Sequence, residues 1–128
     1  MKFTRKELLS AGSRKWKESE LDAVTLRNTD EMVARLNKLG YKPAMYASSF
    51  LRSLADQLRI NPKALGSCHL YGAAVDIADP TGEFAEWCNG HLATLEKVGL
   101  WMENTKCTKG WVHLQMYAPK SFNRVFNP

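Results

Sequence analysis

Apolar residues along the chain follow two rhythms, one helical and one alternating, and each predicts its own elements. Phe3–Ser10 opens with Thr4-Arg5-Lys6-Glu7, a capping box with Phe3 and Leu8 placed as a staple. A short helix is expected there, broken by Ala11-Gly12-Ser13. Leu21, Val24 and Leu26 then lead to Asn28-Thr29-Asp30-Glu31, which reads as a second helix start. Met32, Val33, Leu36 and Leu39 follow at helical spacing, and Gly40 is the expected stop. Tyr41–Ala47 reads as a strand with Pro43 near its start. Leu54–Leu58 reads as a short helix ended by Ile60-Asn61-Pro62, and Lys63–Gly66 as a connecting loop.

In the second half, Ala73–Ile77 reads as a buried strand. Ala74 and Asp76 face one way, and Val75 and Ile77 face the other. Asp79-Pro80-Thr81-Gly82 begins a long helix whose apolar face runs from Phe84 and Trp87 to Leu95 and Val98, closed by Gly99. Leu100–Glu103 and Trp111–Met116 read as a hairpin joined by Asn104–Gly110. If Glu103 pairs opposite Trp111, Glu103 and His113 share one face. The tail after Tyr117 is expected to pack apolar groups back onto the body. The predicted class is α+β: a single small domain over residues 1–128, with an antiparallel sheet and helices packed on it.

Composition narrows this only slightly. At 128 residues, 45% hydrophobic and 24% charged, the chain has ordinary globular values and no stretch long enough for a membrane span. Met1-Lys2-Phe3-Thr4 carries no apolar signal core, so synthesis and folding in a cytoplasm are expected. Cys68, Cys88 and Cys107 are odd in number, which argues for reduced thiols. The net charge of +5 favours polyanions. The densest basic cluster, Arg14-Lys15-Trp16-Lys17, is short and reads as solvated surface, so no nucleic-acid partner is expected.

The candidate chemistry lies in Ser67-Cys68-His69-Leu70-Tyr71-Gly72-Ala73-Ala74-Val75-Asp76 and in Gly110-Trp111-Val112-His113-Leu114-Gln115. Two imidazoles and one carboxylate, His69, His113 and Asp76, are a sufficient set for a catalytic zinc, leaving a fourth position for water. A carboxylate in so apolar a strand is costly to bury unless it is paired or bound to metal. Cys68, beside His69, is expected to point away from any such metal. His91, on the apolar stripe of the long helix, reads as a packed or hydrogen-bonded core histidine rather than a ligand. Helix capping and solvent exposure account for Asp79 and Glu86.

The first of these stretches reads S-x-H-x-x-G-x-A-x-D and resembles the signature of the zinc D-alanyl-D-alanine carboxypeptidase and endopeptidase family, which shares its fold with hedgehog signalling domains. Gly110-Trp111-Val112-His113 is similar to the close of a phage and bacterial branch that cuts peptidoglycan stem peptides. The resemblance runs from about Leu21 to Tyr117. It implies Zn2+ on His69, Asp76 and His113, with Glu103 as general base and acid. It places Ser67 and Arg52 on the substrate side, Arg52 holding a substrate carboxylate.

The chain also departs from the pattern. Ser49 stands where relatives carry glycine, Leu51 adds a residue before Arg52, and Gly110 occupies the position of an acid common in the family. The implied activity is hydrolysis of an amide bond in stem peptides or cross-links by a monomeric, phage-type endolysin. Such a protein is made in the host cytoplasm and acts on the wall after release. The alternative is a zinc-containing wall-binding or virion structural domain without turnover.

Overall fold

The computed structural model describes residues 3–12, 14–60 and 67–128. Its centre is a five-stranded sheet in the order β1-β2-β4-β3-β5. The strands are β1 (Ala47–Ser49), β2 (Ala74–Ala78), β3 (Trp101–Glu103), β4 (Trp111–Gln115) and β5 (Val125–Phe126). β1–β2, β2–β4 and β4–β3 pair antiparallel, but β5 joins β3 in parallel. The expected purely antiparallel sheet is corrected at that edge. The tail reaches β3 by a crossover from β4 rather than by a tight hairpin, and this allows the parallel sense.

Alternation gives the sheet two unlike faces. Val75, Ile77, Met102, Val112 and Leu114 are each no more than 1% exposed and form the inner face. Burying side chains of this size contributes about 1.5–3 kcal/mol each. Against them pack Leu8 and Leu9 of α1 (Arg5–Leu9), Met32 and Leu36 of α2 (Ala23–Asn37), and Phe84, Cys88 and Leu95 of the later helices. These hydrophobic contacts fix the sheet and hence the spacing of whatever its other face carries.

The first helix is close to expectation. Thr4 caps it by accepting from the Glu7 amide, and Phe3 and Leu8 are both buried. The second starts earlier than expected. Asp22 accepts from the Thr25 amide at 2.7 Å and caps α2, so Asn28 and Thr29 lie inside the helix. Their side chains are used elsewhere: Thr29 donates to the Thr25 carbonyl, and Asn28 donates to the Tyr71 carbonyl and the Tyr117 hydroxyl. Polar residues that find such partners need not act as caps.

The strand expected over Tyr41–Ala47 is displaced to Ala47–Ser49, with only the Tyr46 carbonyl of the preceding stretch bonded to the Ala78 amide. The helix expected at Leu54 is α3 (Leu54–Ile60); its Asn61-Pro62 stop, the Lys63–Gly66 loop and Ser13 lie outside the described residues. The expected long helix is two, α4 (Glu83–Asn89) and α5 (Leu92–Val98), separated at Gly90-His91. A glycine in a helix interior costs about 1 kcal/mol, and the break lets the two apolar faces turn independently onto the sheet. Asp79 is buried and accepts from the Phe84 and Ala85 amides, which ties α4 to the end of β2.

Candidate metal centre

The outer face of the sheet carries one row of side chains across all five strands. Ser49 pairs with Asp76, Asp76 with His113, and Glu103 with Phe126. The β3–β4 register pairs Met102 with Leu114, so one residue further Glu103 stands opposite His113. The expected pairing of Glu103 with Trp111 is thus corrected by two residues. An even shift keeps a side chain on its face, and the two groups become direct neighbours. At the far end of the row, an irregular register between Ala47 and Ser49 inserts Ser48 and carries Ser49 opposite Asp76.

His69 reaches the row from beside the sheet. It lies on a tight 3₁₀ turn, Cys68–Tyr71, whose first amides are capped by Ser67: the Ser67 hydroxyl accepts from the His69 amide at 3.3 Å. Gly72 ends the turn with φ of 69°, and a Cβ there would lie 3.3 Å from the Thr25 carbonyl of α2. A left-handed φ and this close approach both favour glycine, which accounts for its place in the motif. The imidazole is buried, and its Nδ1 donates to the Phe50 carbonyl at 2.6 Å. That bond fixes the tautomer and leaves Nε2 facing Asp76.

His113 is fixed in the opposite sense. The Gln115 amide donates to the Tyr117 carbonyl, so its oxygen receives the His113 Nε2 hydrogen at 2.8 Å. Nδ1 is left facing Asp76. The Asp76 Oδ1 atom lies 3.3 Å from His69 Nε2 and 3.0 Å from His113 Nδ1. Four-coordinate zinc with bonds of about 2.0–2.1 Å separates its ligand atoms by about 3.3 Å. One ligand atom from each of the three residues falls within 4.8 Å of the others. The donor types, the two separations from Asp76 Oδ1 and the ring nitrogens turned toward it fit a divalent metal ion. Among the described residues, Cys68 does not belong to this group.

Charge follows from the same contacts. Burial works against the Asp76 carboxylate, but the His113 and His69 rings, which donate to it when they carry a second proton in the metal-free protein, outweigh it and hold the group well below the usual carboxylate range. Burial also works against a charged His113, and Asp76 beside it outweighs that and holds the imidazole above its ordinary value. Glu103 is raised, chiefly by burial; His113 pulls it down and Asp76 adds to the rise. A carboxyl raised in this direction holds a proton more readily than an exposed glutamate, as a group that accepts and returns one must.

These groups open into a cleft of about 790 Å³, whose walls also include Arg52, Ser67, Lys120 and Phe126. Phe126 stands edge-on to the His113 ring with centroids 6.2 Å apart, so the returning tail forms one wall. Every residue placed at the site by sequence therefore lies in or beside one cleft. His91 does not, and it is not a core residue either: it is exposed, stacks on Trp87 at 4.1 Å and donates from Nδ1 to the Trp87 carbonyl.

Sequence reasoning missed Gln115, Gln57 and the Phe50 carbonyl. Gln115 had a signal, since it stands two residues after His113 on one strand and must share its face. No disulfide links the described cysteines, and burial pushes the Cys88 thiol up to about 12. No helix among the described residues is long and apolar enough to cross a membrane. No protein-family model matches the chain, and no curated protein or solved structure is similar enough to count as a relative.

Proposed function

We propose that the chain is a zinc metallopeptidase that hydrolyses an amide bond in peptidoglycan stem peptides or cross-links, in the manner of a phage-type endolysin. The observation that carries this reading is the convergence of His69 Nε2, Asp76 Oδ1 and His113 Nδ1 on one locus beside the Glu103 carboxylate. The signature resemblance supplies the substrate class. Zinc held at that locus would supply an acidified water and a Lewis acid for the scissile carbonyl.

The chain's own residues would do the rest. Gln115 and the Phe50 carbonyl hold the two imidazoles in complementary tautomers. Glu103, raised by burial, takes the proton of the attacking water and returns it to the leaving amine. The wall formed by the tail and Phe126 confines the substrate backbone over the row.

Mass spectrometry of purified peptidoglycan after incubation with the zinc-loaded protein tests this reading. The wild type should release new peptide termini. Glu103→Ala should retain zinc while losing about 10²–10⁴ in rate. Zinc-loaded wild type that stays on the wall without generating termini would favour the wall-binding alternative.

A further inference from the structure

We propose that Arg52 is a positioning residue for Asp76, holding the carboxylate so that one oxygen alone faces the metal locus; this rests on the metal-centre reading above. The two oxygens of Asp76 are already divided. Oδ1 faces both histidines at 3.3 and 3.0 Å, while Oδ2 lies 3.2 Å from Arg52 Nη2. A guanidinium on the second oxygen prevents the carboxylate from rotating or from offering both oxygens to an ion. It also leaves Oδ1 as the ligand atom whose separation from the rings matches a tetrahedral site.

Arg52 is itself held from several directions. Its Nε donates to the Ser49 hydroxyl at 3.2 Å, and its Nη1 donates to Gln57 Oε1 at 3.2 Å. Gln57 is buried on α3, and Ser49 belongs to the cross-strand row. The Arg52 backbone amide donates to the His69 carbonyl at 3.1 Å. One residue thus joins β1, α3, the His69 turn and the Asp76 strand. Each nitrogen of the guanidinium has a protein partner, so three of its five N–H donors are engaged within the protein and two remain. Arginine suits the role because its charge persists and its rigid fork reaches three acceptors at once.

Outer partners of metal ligands typically change metal affinity by about 10–100-fold when removed. The experiment is zinc affinity by competition with a chromophoric chelator, for the wild type, Arg52→Gln and Arg52→Lys, with thermal unfolding as a folding check. Ligand-field spectra of the Co2+-loaded proteins report the geometry at the ion. Both variants should bind zinc about 10–100-fold more weakly, lysine less so than glutamine, and the Co2+ spectrum should shift even at saturation. Lysine keeps one bond to Asp76 but cannot hold Ser49 and Gln57 together.

Wild-type zinc affinity and an unchanged Co2+ spectrum in a folded Arg52→Lys would overturn the proposal. If that variant also lost affinity only for peptides with a free terminal carboxylate, Arg52 would instead be a substrate clamp. A wild type that binds no zinc would overturn the metal-centre reading itself, an outcome distinct from either.

Discussion

Asp76, His113 and Glu103 stand on three neighbouring strands, whereas Ser67, His69 and Arg52 stand on turns to one side of the sheet. The strand residues inherit their spacing from backbone ladders and from the buried inner face of Val75, Met102, Val112 and Leu114. The turn residues have no ladder. His69 depends on the Phe50 carbonyl, the Ser67 cap and the Arg52 amide, and Arg52 depends on Ser49, Gln57 and Asp76. Asp76 belongs to the sheet yet bonds to both sides, so the centre assembles where a rigid half meets a half held by discrete hydrogen bonds.

The largest expected effect separates these halves through the core. Leu114→Ala empties a fully buried position behind His113 and should cost about 2–5 kcal/mol in urea unfolding. A cost below about 1 kcal/mol would mean that the inner face does not set the spacing of the row. Next comes Gln115→Ala, which frees the His113 ring without touching the core. Zinc affinity should fall about 10–100-fold with little loss of stability. An unchanged affinity would show that the ladder alone orients the ring.

The smallest effect concerns charge. In the metal-free protein, carboxyl-detected NMR should find Glu103 titrating above about 4.3, the ordinary glutamate value. Loading zinc should lower that midpoint, because a nearby dication favours the carboxylate. A midpoint that ignores the metal would remove Glu103 from the field of the site.

The same division explains what could be read from sequence. Strand parity put His113 and Glu103 on one face, and this survived an error of two residues in the β3–β4 register because only odd shifts change faces. The ligand set was read from the donor chemistry of two histidines and one aspartate and from the resemblance of the Ser67–Asp76 stretch. The tight turn that ends at Gly72 emerged only in the structure. Arg52 was harder. Its partners Asp76 and His69 are distant in sequence and local to no pattern. The displaced start of α2 and the division of the long helix at Gly90 have one cause. A polar or glycine signal marks where a helix can end, and packing decides whether it does. The parallel return of β5 had no signal in so short a strand.

The central claim is that His69, Asp76 and His113 form one metal site. Its most direct test is equilibrium zinc binding to the wild type and to His69→Ala, Asp76→Ala and His113→Ala, with stoichiometry read by elemental analysis after gel filtration. One tightly held equivalent in the wild type, lost in each variant while the protein remains folded, is the predicted result. No zinc retained by the wild type, or full retention by any one of the three variants, would contradict it.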